Sequence, residues 1–254
     1  MLIEPLAMAL LLAGTFMVAY FVAAIGPTGG LQLAVTTVTV PSQLVIPVHA
    51  FVSGFSALFR AVGLRGDIRY AYVLRFVLPS LAMTALTIWI GSRTGFAWVK
   101  LVIGAYIALD AAGAFSAIGA RMRMRAAAPE LSGLATGFIT AFIGASGPLL
   151  WSLMQDRFDS KEQLSATHAA CLLLQHFSKV ALFGALGVAI FAYWPLLAML
   201  LGASLAGTFL GQRRLRRFEE ASYRRYLRWA LIASGLLIVI LALVDLGAIP
   251  PVLG

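Results

Sequence analysis

The sequence predicts an all-α integral membrane protein with an inverted-topology repeat of two homologous halves. Three observations support this fold class. Apolar runs of bilayer-spanning length recur along the chain, Gly- and Pro-rich breaks interrupt two apolar segments, and the second half repeats landmarks of the first. Each half is expected to open with a broken or re-entrant helix pair, which three spanning helices follow.

The composition excludes a soluble globular domain. Of the 254 residues, 61% are hydrophobic and 11% are charged, which leaves too little polar surface to cover a core in water. The runs also lack the period-two alternation of a transmembrane barrel. The net charge of +9 is concentrated between the apolar runs, so it indicates orientation in the bilayer, and no nucleic-acid partner is expected.

Seven apolar runs have close to the ~20 residues that a helix needs to cross a bilayer core. They cover about 5–25, 43–63, 70–91, 97–118, 163–185, 188–211 and 226–247. Helices are expected because a spanning segment must satisfy its own backbone hydrogen bonds. No Lys or Arg precedes the first run, so we expect a mature helix there and not a cleavable signal peptide.

The second half of the chain repeats landmarks of the first half at an offset of 118 to 120 residues. The matched landmarks are AIGPTGGL at 24–31 with FIGASGPL at 142–149, His49 with His168, Arg60 with Lys179, and 90–93 with 210–213. These matches, which occur in the same order in both halves, favour a duplication over chance. We therefore expect a first transmembrane repeat at 1–120, a basic cytoplasmic linker at 121–130 and a second repeat at 131–254.

The motifs GPTGG and GASGP are expected to break helices, because Gly and Pro disfavour a continuous helical backbone. The pieces that follow, about 29–40 and 148–158, are too short to span, so each pair forms a re-entrant hairpin or two short spans. Either choice places the basic stretches 64–75, 121–125 and 212–228 on the cytoplasmic side. The two halves are then inverted, and both termini lie outside.

The residues at the two breaks are expected to bind an anion. Amide groups at the start of each short helix, at Thr28, Gly29 and Gly30 and at Ser146 and Gly147, direct partial positive charge into a cavity. The hydroxyl groups and the nearby side chain of Gln32 would add hydrogen bonds. The alternative is that these glycines only permit close helix packing.

Ionisable residues recur at matched spacing within the spans. His49 and Arg60 are eleven residues apart, as are His168 and Lys179, so each pair faces one way along its helix, roughly 16 Å apart. Such residues are costly in lipid and are expected to line an anion route. Snorkelling to the headgroups is an equal alternative for Arg60 and a weaker one for Lys179. For His176 a neutral packing role is preferred.

Asp110 is the one carboxylate well inside a predicted span. It is expected either to neutralise a cation of the other half or to exchange a proton and couple transport to the proton gradient. Cys171 is the single cysteine, which excludes an intramolecular disulfide and a cysteine metal cluster. No cofactor and no metal are expected.

An enzymatic alternative comes from GASG at 144–147, which matches the GxSG motif of rhomboid-type intramembrane serine proteases. His168 or His176 would then serve as the base. The first half has PTG at the equivalent position, so the repeat already explains the break. A protein that is not an enzyme is therefore favoured, and an anion channel with the same pore is a further alternative.

Three stretches of the sequence carry a resemblance to a known family. They are GPTGG at 26–30 with the short helix ending at Pro41, GASGP at 144–148, and the stretch from Ser160 to Gly187. At these residues the chain resembles the TauE/SafE sulfite exporter family, although Pro27, Thr28 and Pro148 depart from the family's usual GxGGG break. The resemblance implies a permease of the bacterial inner membrane for sulfite, sulfoacetate or other small sulfonates and carboxylates. The resemblance does not determine the coupling ion or whether the protein forms a homodimer.

Overall fold

The structure, a computed structural model, describes residues 5–26, 29–40, 42–94, 128–143, 146–154, 157–217, 219 and 222. Within these residues every regular element is a helix. Several predictions fall outside the described residues: Thr28, Asp110, the linker as far as residue 127, and the predicted spans 97–118 and 226–247.

The described elements comprise six longer helices and two short ones that follow the breaks. They are α1 (Pro5–Ala24), α2 (Gly29–Thr39), α3 (Ser42–Gly63), α4 (Tyr70–Thr94), α5 (Pro129–Ile143), α6 (Gly147–Met154), α7 (Lys161–Ala185) and α8 (Trp194–Leu215). Short 3-10 turns at Arg65–Asp67 and Ile190–Tyr193 precede α4 and α8. The predicted spans that fall on described residues each coincide with α1, α3, α4, α7 or α8.

Helix α7 shows how the sequence sets a helix boundary. The side chain of Ser160 accepts a hydrogen bond from the backbone N–H of Gln163 at 3.2 Å, and Glu162 lies in the first turn. Both features stabilise a helix start, because they satisfy or complement the unpaired amide groups there. The helix ends before Gly187, whose φ of 88° suits glycine.

Among the described helices, four are long and apolar enough to cross a membrane: Pro5–Ala24, Leu44–Gly63, Tyr70–Ile90 and Ile190–Leu215. The span within α3 is 67% buried inside the protein, against 28% for the other three. Helix α7 is as long as α4 but is more polar and is not among the four. It buries 12 of its 25 residues, so α3 and α7 form the interior of the bundle.

The helix contacts are arranged symmetrically around this central pair. Helix α1 packs against α8, α4 packs against α5, and α3 packs against α7. Exchanging α1–α4 with α5–α8 reproduces the most extensive helix contacts, including those of α3 with α8 and of α7 with α4. The inverted repeat and its division at 121–130 stay predictions.

Glycines four residues apart allow close contact in both outer helix pairs. A Cβ atom placed on Gly207 of α8 would overlap the carbonyl oxygen of Phe16 in α1. On Gly137 of α5 it would lie 2.6 Å from the carbonyl oxygen of Ser80 in α4. The companion glycines Gly211 and Gly133 make similar approaches to Tyr20 and Phe76. Small residues therefore set the backbone separation, as they do in many membrane helix pairs.

Candidate functional site

Both predicted helix breaks are present. Helix α1 ends at Ala24, and Gly26 adopts a φ of 128°, a conformation that glycine tolerates better than other residues. Helix α2 begins at Gly29 and includes Gly30, as expected. In the second half, α5 ends before the GASG motif and α6 begins at Gly147. Each break therefore separates a longer helix from a shorter one.

A small cavity lies beside both breaks and is lined by residues of α1, α2, α3, α6, α7 and α8. Its volume is about 40 Å³, room for about three water molecules. Its polar lining consists of Gln32, His49, Ser53, Ser56, Arg60, Gly147, His168, His176 and Ser204. Its apolar lining comes from Val18, Ala19, Val22, Val52 and Leu172. Among the expected anion contacts, Gln32, His49, Gly147 and His168 meet here, and Ser146 and Lys179 are not in the lining.

Arg60 brings a positive charge to the cavity. This side chain is 2% exposed and belongs to the lining, although it lies in the last turn of α3. A guanidinium stays protonated at all physiological pH values. No carboxylate among the described residues lines the cavity, so its electrostatic character suits an anion.

Lys179, which the repeat aligns with Arg60, has a different environment. It is fully buried, and its Nζ donates a hydrogen bond to the hydroxyl of Thr140 in α5 at 3.0 Å. The sequence favoured Lys179 over Arg60 as a site residue, whereas the structure places Arg60 at the cavity. The two aligned cations therefore lie in unequal positions relative to the candidate site.

The three histidines cluster around the cavity. The rings of His49 and His176 meet edge to face, with centroids 5.7 Å apart. The Nε2 atom of His168 donates to the carbonyl of Gly147 at 3.0 Å, and its ring packs edge-on against Trp151 at 4.9 Å. His168 thus fixes the start of α6. His176, for which a packing role was preferred, packs against His49 and also lines the cavity.

Gln32 presents an amide group from α2. Its side chain is 4% exposed, and its Nε2 donates to the hydroxyls of Thr15 at 3.2 Å and Thr36 at 3.5 Å. These bonds hold the amide between α1 and α2, directly beside the first break. Gln32 is therefore a structural link between the broken helices and a wall of the cavity.

Gln175 was missed by the sequence reasoning, yet it organises the second break. Its Oε1 accepts a hydrogen bond from Ser146 at 2.9 Å, and its Nε2 donates to Ser80 at 2.7 Å and Thr136 at 2.8 Å. All four side chains are buried. The available signal was an amide on the same face of α7 as His168 and Lys179, seven residues after one and four before the other.

Comparison with known protein families identifies the family of this chain. A family model described as "Sulfite exporter TauE/SafE" matches residues 10–238, which is most of the chain. The chain belongs to the TauE/SafE family. This confirms the resemblance, and with its apolar helices it makes the chain a membrane protein of a transporter family. No significant match is found among curated proteins or among solved structures.

The contacts of Ser146 bear on the protease alternative in this TauE/SafE protein. A serine nucleophile needs a base within hydrogen-bond reach. The Ser146 hydroxyl donates to the amide oxygen of Gln175, and Nε2 of His168 bonds to the carbonyl of Gly147. These bonds give Ser146 an amide partner, as expected of a structural hydroxyl group at a helix break.

Proposed function

We propose that this TauE/SafE protein is a secondary transporter that binds a small sulfur-containing or organic anion in the cavity between its two broken helices. One observation carries the proposal. Arg60, His49 and Gln32 from the first half converge with Gly147 and His168 from the second half on a single cavity. A buried guanidinium at the lining, with no carboxylate among the described lining residues, favours an anion over a cation.

Cavity size supports sulfite as the first candidate substrate. A volume of about 40 Å³ accommodates an ion the size of about three water molecules. Sulfite is the smallest of the candidate anions, and sulfoacetate and longer sulfonates or carboxylates need more of this space. We therefore expect transport to fall as the carbon chain of the anion lengthens.

The transport mechanism that we propose is alternating access between inverted halves. The exchange symmetry of the helix contacts supports two equivalent halves, and opposed broken helices at a repeat interface are typical of secondary transporters. Movement of one half against the other would expose the cavity to each face in turn. We place the protein in the bacterial inner membrane with both termini outside, and proton coupling and a homodimer remain hypotheses.

The proposed substrate contacts come from both breaks. The amide groups at Thr28, Gly29, Gly30 and Gly147 would point toward the anion, with Gln32, His49, Arg60 and His168 around it. Ser146 would act indirectly, since its hydroxyl bonds to Gln175. Lys179 would contribute long-range positive charge, and Asp110 is the candidate charge-compensating residue.

Flux measurements in proteoliposomes test this function. We expect saturable uptake of radiolabelled sulfite, competed by small sulfonates, and the same rate from Ser146→Ala within about a factor of three, because that change removes one of three bonds to Gln175. Uphill accumulation driven by an imposed ion gradient would exclude an anion channel. A non-saturating current that follows voltage alone would favour the channel, and no flux of any tested anion would refute the proposal.

A further inference from the structure

His49 and His176 form a histidine pair inside the cavity. They lie on α3 and α7, the two central helices, and their side chains are 1% and 4% exposed. Their rings meet at an interplanar angle of 72°, and both rings line the cavity. The Nδ1 atom of His176 is buried without a hydrogen-bond partner among the described residues. Among the described residues, no hydrogen bond therefore holds this nitrogen in place.

The charged groups around the pair are all basic within the described chain. Arg60 faces it from α3, His168 lines the same cavity from α7, and Lys179 lies one turn beyond His176. Helices α2 and α8 contribute the neutral side chains of Gln32 and Ser204, and α6 contributes Gly147. The described titratable groups of α1, α4, α5 and α8 do not line the cavity.

These surroundings link a proton on the pair to an anion in the cavity. A proton adds positive charge beside Arg60 in an environment of low dielectric constant, where like charges repel strongly. A negative charge from an anion in the cavity would offset this repulsion and favour the protonated pair. By thermodynamic reciprocity, an anion that favours protonation of the pair is itself bound more tightly when the pair is protonated.

We propose that the His49–His176 pair binds a proton together with the transported anion, so that proton and anion occupy one cavity cooperatively. The inference rests on the proposed function of the cavity as an anion site. It assigns the proton to the two imidazoles and not to Asp110, the carboxylate that the sequence suggested. Histidine is suited to this role because its charge ordinarily changes between pH 5 and 8.

The test compares sulfite binding to the purified full chain and to His176→Gln and His49→Gln, by calorimetry from pH 8 to pH 5.5. Sulfite itself titrates in this range, but its titration is common to all proteins and cancels in the ratio of dissociation constants, variant over wild type. We expect this ratio to rise by at least about fivefold as the pH falls, the lower end of typical coupling between two ligands. Ser204→Ala, which alters the same cavity without an ionisable group, is expected to give a ratio independent of pH.

The outcomes separate this inference from the function on which it rests. A pH-independent ratio for both histidine variants would overturn the inference and leave an anion site intact. A pH dependence that persists in the histidine variants and disappears in Asp110→Asn would also overturn it. Absence of sulfite binding to the wild type at every pH would refute the anion site and the inference together. Two histidine variants are used so that one misfolded protein does not remove the test.

Discussion

The buried polar groups at the second break form a tighter hydrogen-bond network than those at the first break. Gln175 makes three hydrogen bonds of 2.7 to 2.9 Å near Ser146. Gln32 makes two longer ones, of 3.2 and 3.5 Å, and lines the cavity itself. Two breaks of similar sequence are thus held differently, since the second is fixed by a network of short bonds and the first by two longer bonds beside the cavity.

The two aligned cations, Arg60 and Lys179, also have different surroundings. Lys179 is occupied by the hydroxyl of Thr140, while Arg60 belongs to the cavity lining. Position 21 or 22, which the repeat aligns with Thr140, is Phe21 or Val22 and offers no hydroxyl group. The difference between the two breaks is therefore accompanied by a difference between the cations of the two central helices, α3 and α7.

The largest effect is expected from Gln175→Leu, which leaves three buried hydroxyl groups without their partner. We expect a loss of about 3 kcal/mol in the free energy of unfolding, given the usual contribution of ~1 kcal/mol per bond and smaller values for some membrane proteins. Thermal unfolding of the detergent-purified protein measures it. Gln32→Leu is the matched control, with a loss of about 1 kcal/mol but a greater loss of sulfite affinity. Equal stability losses would contradict the contrast between the breaks.

Arg60→Met and Lys179→Met test the contrast between the aligned cations. Because Arg60 lines the cavity, we expect its substitution to weaken sulfite binding roughly 30-fold, or about 2 kcal/mol, as for the loss of a hydrogen bond to a charged group. Lys179→Met is expected to weaken binding about threefold, through longer-range charge. Calorimetric titration gives both values. A greater effect from Lys179 would reverse the assignment.

Alanine substitutions at the close-contact glycines test a feature that the two outer helix pairs share. We expect Gly137→Ala and Gly207→Ala each to destabilise the protein by about 1–3 kcal/mol, the usual cost of overpacking, because the added methyl group meets a backbone carbonyl. Gly202 of α8 has open space around it, so Gly202→Ala serves as the control. It is expected to be neutral or to stabilise the helix by up to ~1 kcal/mol. If all three variants unfold alike, the glycines do not set helix separation.

The smallest effect is expected from the ion pair between Arg75 of α4 and Glu130 at the start of α5, where Glu130 lies outside the four candidate spans. Hydrogen bonds from Arg75, at 2.6 and 3.2 Å, hold the pKa of the Glu130 carboxyl below its ordinary value. A depressed pKa contributes stability that is present at neutral pH and is lost as the pH falls through the pKa of the folded state. Glu130→Gln should therefore lower the melting temperature slightly at pH 7 and not at strongly acidic pH. In an Arg75→Gln background the same change should have no effect, and a persisting effect would assign it to α5 itself.

Local signals in the sequence predicted the helices and the breaks. GPTGG and GASGP interrupt helices because Gly and Pro act on the backbone at their own positions. Each apolar run similarly predicts one helix from its own residues alone. For this reason α1, α3 and α4 begin and end close to the predicted bounds. The polar character of His49 and His168 was sufficient to place them near the cavity.

Interactions between distant helices could not be predicted in this way. The partners of Gln175 lie on α4 and α5, and nothing in the periodicity of α7 specifies which residues of those helices face it. The different surroundings of Arg60 and Lys179 could not be predicted for the same reason. The apolar stretch after Lys179 suggested depth in the membrane, but the neighbouring Thr140 determines where its ammonium group lies.

The polarity of α7 has a consequence for the biogenesis of the protein. A helix with His168, Gln175, His176 and Lys179 enters lipid reluctantly during synthesis, since a lysine alone costs about 2.5–3.5 kcal/mol at the centre of an inserting segment. The helices that bond to it, α4 and α5, leave the ribosome earlier. The insertion of α7 therefore depends on α4 and α5 still being beside the translocon, where they can bond to its polar side chains.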